Sequence, residues 1–83
     1  MRLRCKNKDE VVEKVTKHFR TSPLAKKMII IDGAKIIFDD GWAMIRRSNT
    51  EEMINLRFEA KTEDKLNEIQ SMVMEQVNKT MTK

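Results

Sequence analysis

The sequence predicts an α+β domain: one antiparallel sheet of four or five strands with two helices packed on it. Short apolar runs separated by Asp-Gly turns fill the middle of the chain, from Met28 to Ala60. Their connections are too short for parallel crossovers, so these strands form an antiparallel meander. A segment of helical periodicity stands on either side of the meander. The 83 residues make a single domain spanning 1–83, with a modest core, because short chains bury a smaller share of their surface.

Arg2 to Cys5 alternates polar and apolar residues and reads as a short strand. Asn7 is placed as an N-cap, with Glu10 three residues on to complete a capping box. Val11, Val12, Val15 and Phe19 then mark one face of a helix running from Lys8 to Phe19. Pro23 ends it. Met28–Ile31 is a β-branched run, Asp32-Gly33 a turn, Lys35–Phe38 a strand, Asp39-Asp40-Gly41 a second turn and Trp42–Ile45 a third strand. After a polar loop, Ile54, Leu56 and Phe58 alternate with Asn55, Arg57 and Glu59, a strand with one wet face. Thr62 caps the last helix, with Glu63 and Asp64 where its dipole favours acids. Leu66, Ile69, Met72, Val73 and Val77 form its buried stripe, and Asn78 to Lys83 reads as a frayed tail. Met72, Met74 and Met81 read as core filler and helix end rather than a binding surface. The element order is β-α-β-β-β-β-α.

Composition narrows the function classes. Hydrophobic residues are 40% and charged residues 36%, with a net charge of +4. That balance suits a folded domain with anionic partners. No run of five like charges occurs, and the four aromatic side chains, Phe19, Phe38, Trp42 and Phe58, all read as core positions. A stacking platform for nucleic-acid bases needs exposed aromatics, so no nucleic acid is expected as partner. Cys5 is the only cysteine, which excludes an intrachain disulfide and suits a reducing compartment. The lone His18 reads as an exposed or rim residue without partners for a metal. The longest apolar runs are four residues, so neither a membrane span nor a secretory signal is expected, and a cytoplasmic location fits. No nucleophile–base pair, paired catalytic carboxylates or Gly-rich phosphate loop is present, so no catalytic residue is assigned to this chain. Asp39 and Asp40 are accounted for by their turn.

The stretch that stands out is Arg46-Arg47-Ser48-Asn49-Thr50-Glu51, read as a loop of seven or eight residues between two strands. A guanidinium grips a phosphate with two parallel hydrogen bonds. Ser, Asn and Thr add short neutral donors and accept turn conformations that point backbone N–H groups inward. A solvated turn has the same composition; what favours a site is Arg46 at the very end of a strand, where the sheet fixes its direction. Glu51 and Glu52 sit oddly beside an anion and are expected to orient Arg46, cap the loop or meet a neighbouring domain. Arg57 and Glu59 read as a surface ion pair.

The sequence Asp32-Gly33-Ala34-Lys35-Ile36, then Asp40-Gly41-Trp42 through Arg46-Arg47-Ser48-Asn49-Thr50-Glu51, then Leu56-Arg57-Phe58-Glu59-Ala60, resembles the C-terminal domain of the α-D-phosphohexomutases. The resemblance covers about residues 1 to 78 and is nearest the phosphomannomutase/phosphoglucomutase branch. Arg46, Ser48, Thr50, Glu51, Glu59 and Ala60 match the family pattern, while Arg47, Asn49 and Glu52 stand where it has proline, glycine and proline. The absent prolines bear on the stiffness of the loop rather than on its donors. The resemblance implies a TATA-box-binding-protein-like fold, part of a larger four-domain enzyme. It implies that Arg46, Ser48, Asn49 and Thr50 bind the phosphate of a phosphosugar, mannose or glucose phosphate, during phosphoryl transfer between C1 and C6. It places the phosphoserine, the Mg2+ loop and sugar selection in other domains of the parent enzyme, so this chain by itself is expected to bind no cofactor and to be inactive. Two other readings stand beside it: a small basic binding module for nucleic acid or an acidic protein, and an assembly domain whose wet sheet face docks a partner.

Overall fold

A computed structural model describes residues 1–81. The elements are β1 (Arg2–Arg4), α1 (Lys8–Arg20), β2 (Lys27–Ile30), β3 (Ala34–Ile37), β4 (Gly41–Arg47), β5 (Met53–Ala60) and α2 (Glu63–Thr80). The five strands form one sheet in the order β1-β5-β4-β3-β2, every neighbouring pair antiparallel. The meander is as expected from the short turns. β1 closes the far edge by pairing with β5, extended by Met1, whose amine and carbonyl both bond Leu56. α1 therefore has to carry the chain from one edge of the sheet to the other.

Both helices lie on the same face, and alternation decides which side chains they cover. Ala34 and Ile36 of β3, Ala43 and Ile45 of β4, and Ile54 and Leu56 of β5 are buried against Val11, Val15 and Phe19 of α1 and Ile69, Val73 and Val77 of α2. Phe19 meets Phe38 edge-on at 5.8 Å between ring centres. Cys5, just beyond β1, is buried in the same core. Met72, Met74 and Met81 pack against its rim, and His18 is exposed, with its ring against the edge of Phe19.

Several expectations change. Trp42 is not a core residue: it pairs with Ile37 and Glu59 on the helix-free face, half exposed, with Lys35 Nζ 4.4 Å from its ring centre. Ala43 and Ile45 take the inward positions of β4, and a period of two then sends Trp42 outward. Leu66 is only half-buried. Ile31 falls outside β2 and is 73% exposed in the turn. The capping box at Asn7 does not form: its backbone is at φ −100°, ψ 48°, and its side chain makes no cap bond. Instead Asn7 Nδ2 donates to Glu10 Oε1 at 2.9 Å and to the Thr80 carbonyl at 2.8 Å, tying the start of α1 to the end of α2. α2 accordingly stays helical to Thr80, past the point where fraying was expected, and the last two residues of that tail lie outside the described ones. Thr62 caps as expected, its Oγ1 accepting from the Lys65 N–H at 3.2 Å.

Candidate functional site

Two turns bracket the segment where the site was expected. Asp32 (φ 53°) and Gly33 (φ 132°) join β2 to β3 in the left-handed half of backbone space, which Gly33 enters without a Cβ penalty. Gly33 lies directly on β4: a Cβ there would come within 2.2 Å of the Ile45 carbonyl and 3.0 Å of Arg46 Cα. That contact holds the end of β4 from one side, and β5 holds it from the other.

β4 is longer than the apolar run suggests. Arg46 pairs with Asn55 and Arg47 with Ile54, so both arginines belong to the strand and the loop shrinks to residues 48–52. Strand pairing uses only the backbone, so it continues into polar residues that lie beyond the helical cover. Alternation then separates the two arginines. Arg46 is on the helix-free face, exposed, and no hydrogen bond or ion pair engages its guanidinium among the described residues. It lines a depression of about 380 Å3 together with Ile29, Asp32, Lys35 and Met44. Arg47 is on the helix side and pairs with Asp9 of α1, whose carboxylate holds the guanidinium pKa above its ordinary value through a hydrogen bond and its charge.

The loop itself is an ordered turn. Ser48 Oγ accepts from the Glu51 N–H at 3.1 Å and the Thr50 N–H at 3.4 Å, so two backbone donors converge on one hydroxyl oxygen. Ser48 N–H donates to the Met53 carbonyl at 2.9 Å and closes the hairpin. Asn49 and Thr50 form the exposed tip. From the other side Lys8 of α1 donates to both the Ser48 carbonyl, at 2.6 Å, and the Glu51 carbonyl, at 2.9 Å. Glu51 pairs with Arg2 of β1 at 3.4 Å rather than orienting Arg46. The Glu52 carbonyl accepts from the Cys5 N–H at 2.7 Å. Thus Ser48, Asn49 and Thr50 are contiguous in one turn at the end of the strand that carries Arg46. The residues that hold the turn, Arg2, Lys8 and Asp9, are more than 35 positions away in sequence, and no local pattern announces them.

The expected Arg57–Glu59 pair is not formed; Glu59 lies across from Trp42 and Arg57 across from Met44. With Arg2, Arg4, Lys27, Lys35 and Arg46 on the same side, the helix-free face is strongly basic. Among the described residues no group of three or more His, Cys, Asp or Glu side chains is gathered where it could hold a metal ion, and no helix is long and apolar enough to cross a membrane.

This is an α+β domain whose exposed arginine and Ser-Asn-Thr turn share one end of the sheet. Residues 1–76 match the family model of the phosphoglucomutase/phosphomannomutase C-terminal domain, and the chain belongs to that family. Among curated relatives, a phosphoglucomutase/phosphomannomutase of Thermococcus kodakarensis is 52% identical over 42 residues, 51% of this chain and 9% of that protein. A phosphoglucosamine/phosphogalactosamine mutase of Sulfurisphaera tokodaii is 39% identical over 61 residues, 74% of this chain and 13% of that protein. A crystal structure of a phosphoglucomutase/phosphomannomutase family protein from Burkholderia thailandensis superposes with a TM-score of 0.71 at 23% identity, over 99% of this chain and 18% of that one. The chain therefore spans only about a tenth of the length of the curated relatives it matches.

Proposed function

We propose that this chain is the C-terminal phosphate-binding part of a larger phosphohexomutase, and that Arg46, Ser48, Asn49 and Thr50 grip the phosphate of a hexose phosphate, mannose or glucose phosphate. The observation that carries the reading is Arg46: its backbone is held by strand pairing with Asn55 and by the close approach of Gly33, and no hydrogen bond or ion pair engages its exposed guanidinium among the described residues. An unpaired arginine beside a turn of hydroxyl, amide and backbone donors complements an oxyanion. The parent enzyme, an isomerase, moves a phosphoryl group between the C1 and C6 hydroxyls. This domain holds the phosphate that is not reacting and leaves the sugar ring free to turn. The phosphoserine, the sugar-selecting residues and the Mg2+ that assists transfer are assigned to other domains of the parent enzyme, as the family resemblance implies.

Glucose 1-phosphate or mannose 1-phosphate, titrated into the 83-residue chain and followed by amide NMR, tests this directly. The Asn49, Thr50 and Glu51 resonances should shift to saturation at about millimolar ligand, weak because the remaining contacts lie elsewhere. Arg46→Gln should weaken binding about tenfold or more, the scale of losing a forked charge-assisted contact. Equal affinity for wild type and variant would sink the reading. The basic helix-free face is the one observation favouring the alternative of an acidic partner or nucleic acid; that reading requires steep loss of binding with salt and no preference for sugar phosphates.

A further inference from the structure

The turn at residues 48–52, Ser-Asn-Thr-Glu-Glu, contains neither glycine nor proline, and no proline flanks it. From within, only the Ser48 hydroxyl and the Ser48–Met53 backbone bond shape it, and the rest of its hold comes from distant residues. Lys8 is in the first turn of α1, and its ammonium bridges the Ser48 and Glu51 carbonyls, 2.6 and 2.9 Å away. Both carbonyl dipoles are thereby turned toward α1.

A trans peptide unit is planar, with its N–H pointing opposite to its C=O. Directing the Ser48 carbonyl at Lys8 therefore directs the Asn49 N–H away from it, and directing the Glu51 carbonyl does the same to the Glu52 N–H. Neither of these N–H groups has a partner among the described residues. The Thr50 and Glu51 N–H groups already converge on Ser48 Oγ. A single cation thus keeps the two carbonyls, which would repel an anion, on the inner side of the turn, and directs the Asn49 and Glu52 N–H groups to the other. It also puts a positive charge directly behind them. Asp9, the next residue of α1, holds Arg47 at the entrance to the same turn, so one helical turn contacts both the strand end and the loop.

We propose that Lys8 is a positioning residue for phosphate binding: its ammonium organises the 48–52 turn as an anion-receiving array without touching the ligand. The inference rests on the phosphate reading of the Arg46–Thr50 segment. It goes beyond that reading by assigning the shape of the cradle to a residue 40 positions upstream.

The test compares four forms of the 83-residue chain by amide NMR titration with glucose 1-phosphate: wild type, Lys8→Gln, Lys8→Arg and Lys79→Gln. Lys79 pairs with Glu75 on α2, so its substitution changes net charge equally without touching the turn. Lys8→Gln should weaken binding about tenfold, with faster hydrogen exchange at Thr50 and Glu51 and unchanged amide dispersion in α2 and β3. Lys8→Arg should recover most of the affinity, and Lys79→Gln should bind as wild type does. Wild-type affinity in Lys8→Gln, or an equal loss in Lys79→Gln, would overturn the proposal while leaving the phosphate site standing. No saturable shift in the wild type would remove the site itself, and the role of Lys8 with it. A further measurement needs no variant: the Lys8 ammonium 15N resonance should move on saturation while that of Lys79 stays still, and a stationary Lys8 signal also overturns the proposal.

Discussion

The two turns that flank β4 share a closing backbone bond and differ in what else holds them. At its start, the Asp39-Asp40 turn is closed by backbone: Phe38 N–H donates to the Gly41 carbonyl at 2.8 Å, and Lys61 N–H to the Asp40 carbonyl at 2.9 Å. Gly41 sits so close to β5 that a Cβ would fall 2.3 Å from the Glu59 carbonyl and 2.8 Å from Ile69 Cδ1. Phe38 at the head of that turn belongs to the packed core, while Asp39 is exposed and pairs with Lys26. At the other end, the 48–52 turn is closed by the Ser48–Met53 backbone bond and is tied down further by long side chains reaching in from β1 and α1, through Arg2, Lys8 and the Arg47–Asp9 pair. A turn that ends in a glycine pressed onto the neighbouring strand has little room to change shape. The 48–52 turn, held in addition by ammonium and guanidinium tethers, leaves the Asn49 and Glu52 N–H groups without a partner among the described residues, which suits the binding role proposed above.

Substitutions at the two glycines probe the rigid part of this contrast and should have the largest effects. Gly33→Ala meets both a left-handed φ and the Ile45 carbonyl, so it should destabilise the fold by about 3 kcal/mol in thermal or denaturant unfolding and displace the Arg46 resonances. Gly41→Ala should cost about 2 kcal/mol by overpacking alone, without reaching the 48–52 amides. If Gly41→Ala disturbed those amides as strongly as Gly33→Ala, the two ends of β4 would not be independent. Asp9→Asn probes the tethered end. It removes an exposed pair, so the unfolding midpoint should stay where it is, while exchange at the 48–52 amides quickens.

The smallest effect concerns Cys5. Burial pushes its thiol pKa above the ordinary 9.0. The folded state then keeps a proton that the unfolded chain has lost, so this contribution is complete below pH 9 and fades as pH rises through the raised folded value. Native Cys5 should resist iodoacetamide at neutral pH and react only on unfolding; alkylation of the folded chain would show that the core around β1 opens.

Much of this was legible in the sequence because periodicity reports burial. Ile54, Leu56 and Ala43, Ile45 mark the inner face of the central strands, and Val11, Val15, Phe19 with Ile69, Val73, Val77 mark the stripes that cover them. Arg46, Ser48, Asn49 and Thr50 were legible as a set of donors, and the family match spans the segment that carries them. Trp42 was misread because hydrophobicity does not say which side of a strand a side chain takes when its neighbours are Gly41 and Ala43. The loop was drawn too long because Arg46 and Arg47 look like loop residues, although antiparallel pairing is indifferent to their side chains. Asn7 looked like a cap, but the end of α2 lay within reach of its amide.

The sequence by itself determined the class of fold, the placement of the elements and the chemistry available at the end of β4, all of which depend on residues near one another in the chain. Only the tertiary structure decided that the two adjacent arginines point to opposite faces, that Arg46 is left unpaired while Arg47 is engaged, and that Lys8 clasps two carbonyls of the turn. Those outcomes depend on which distant elements come together, and a short polar side chain pattern carries no record of a partner 40 residues away.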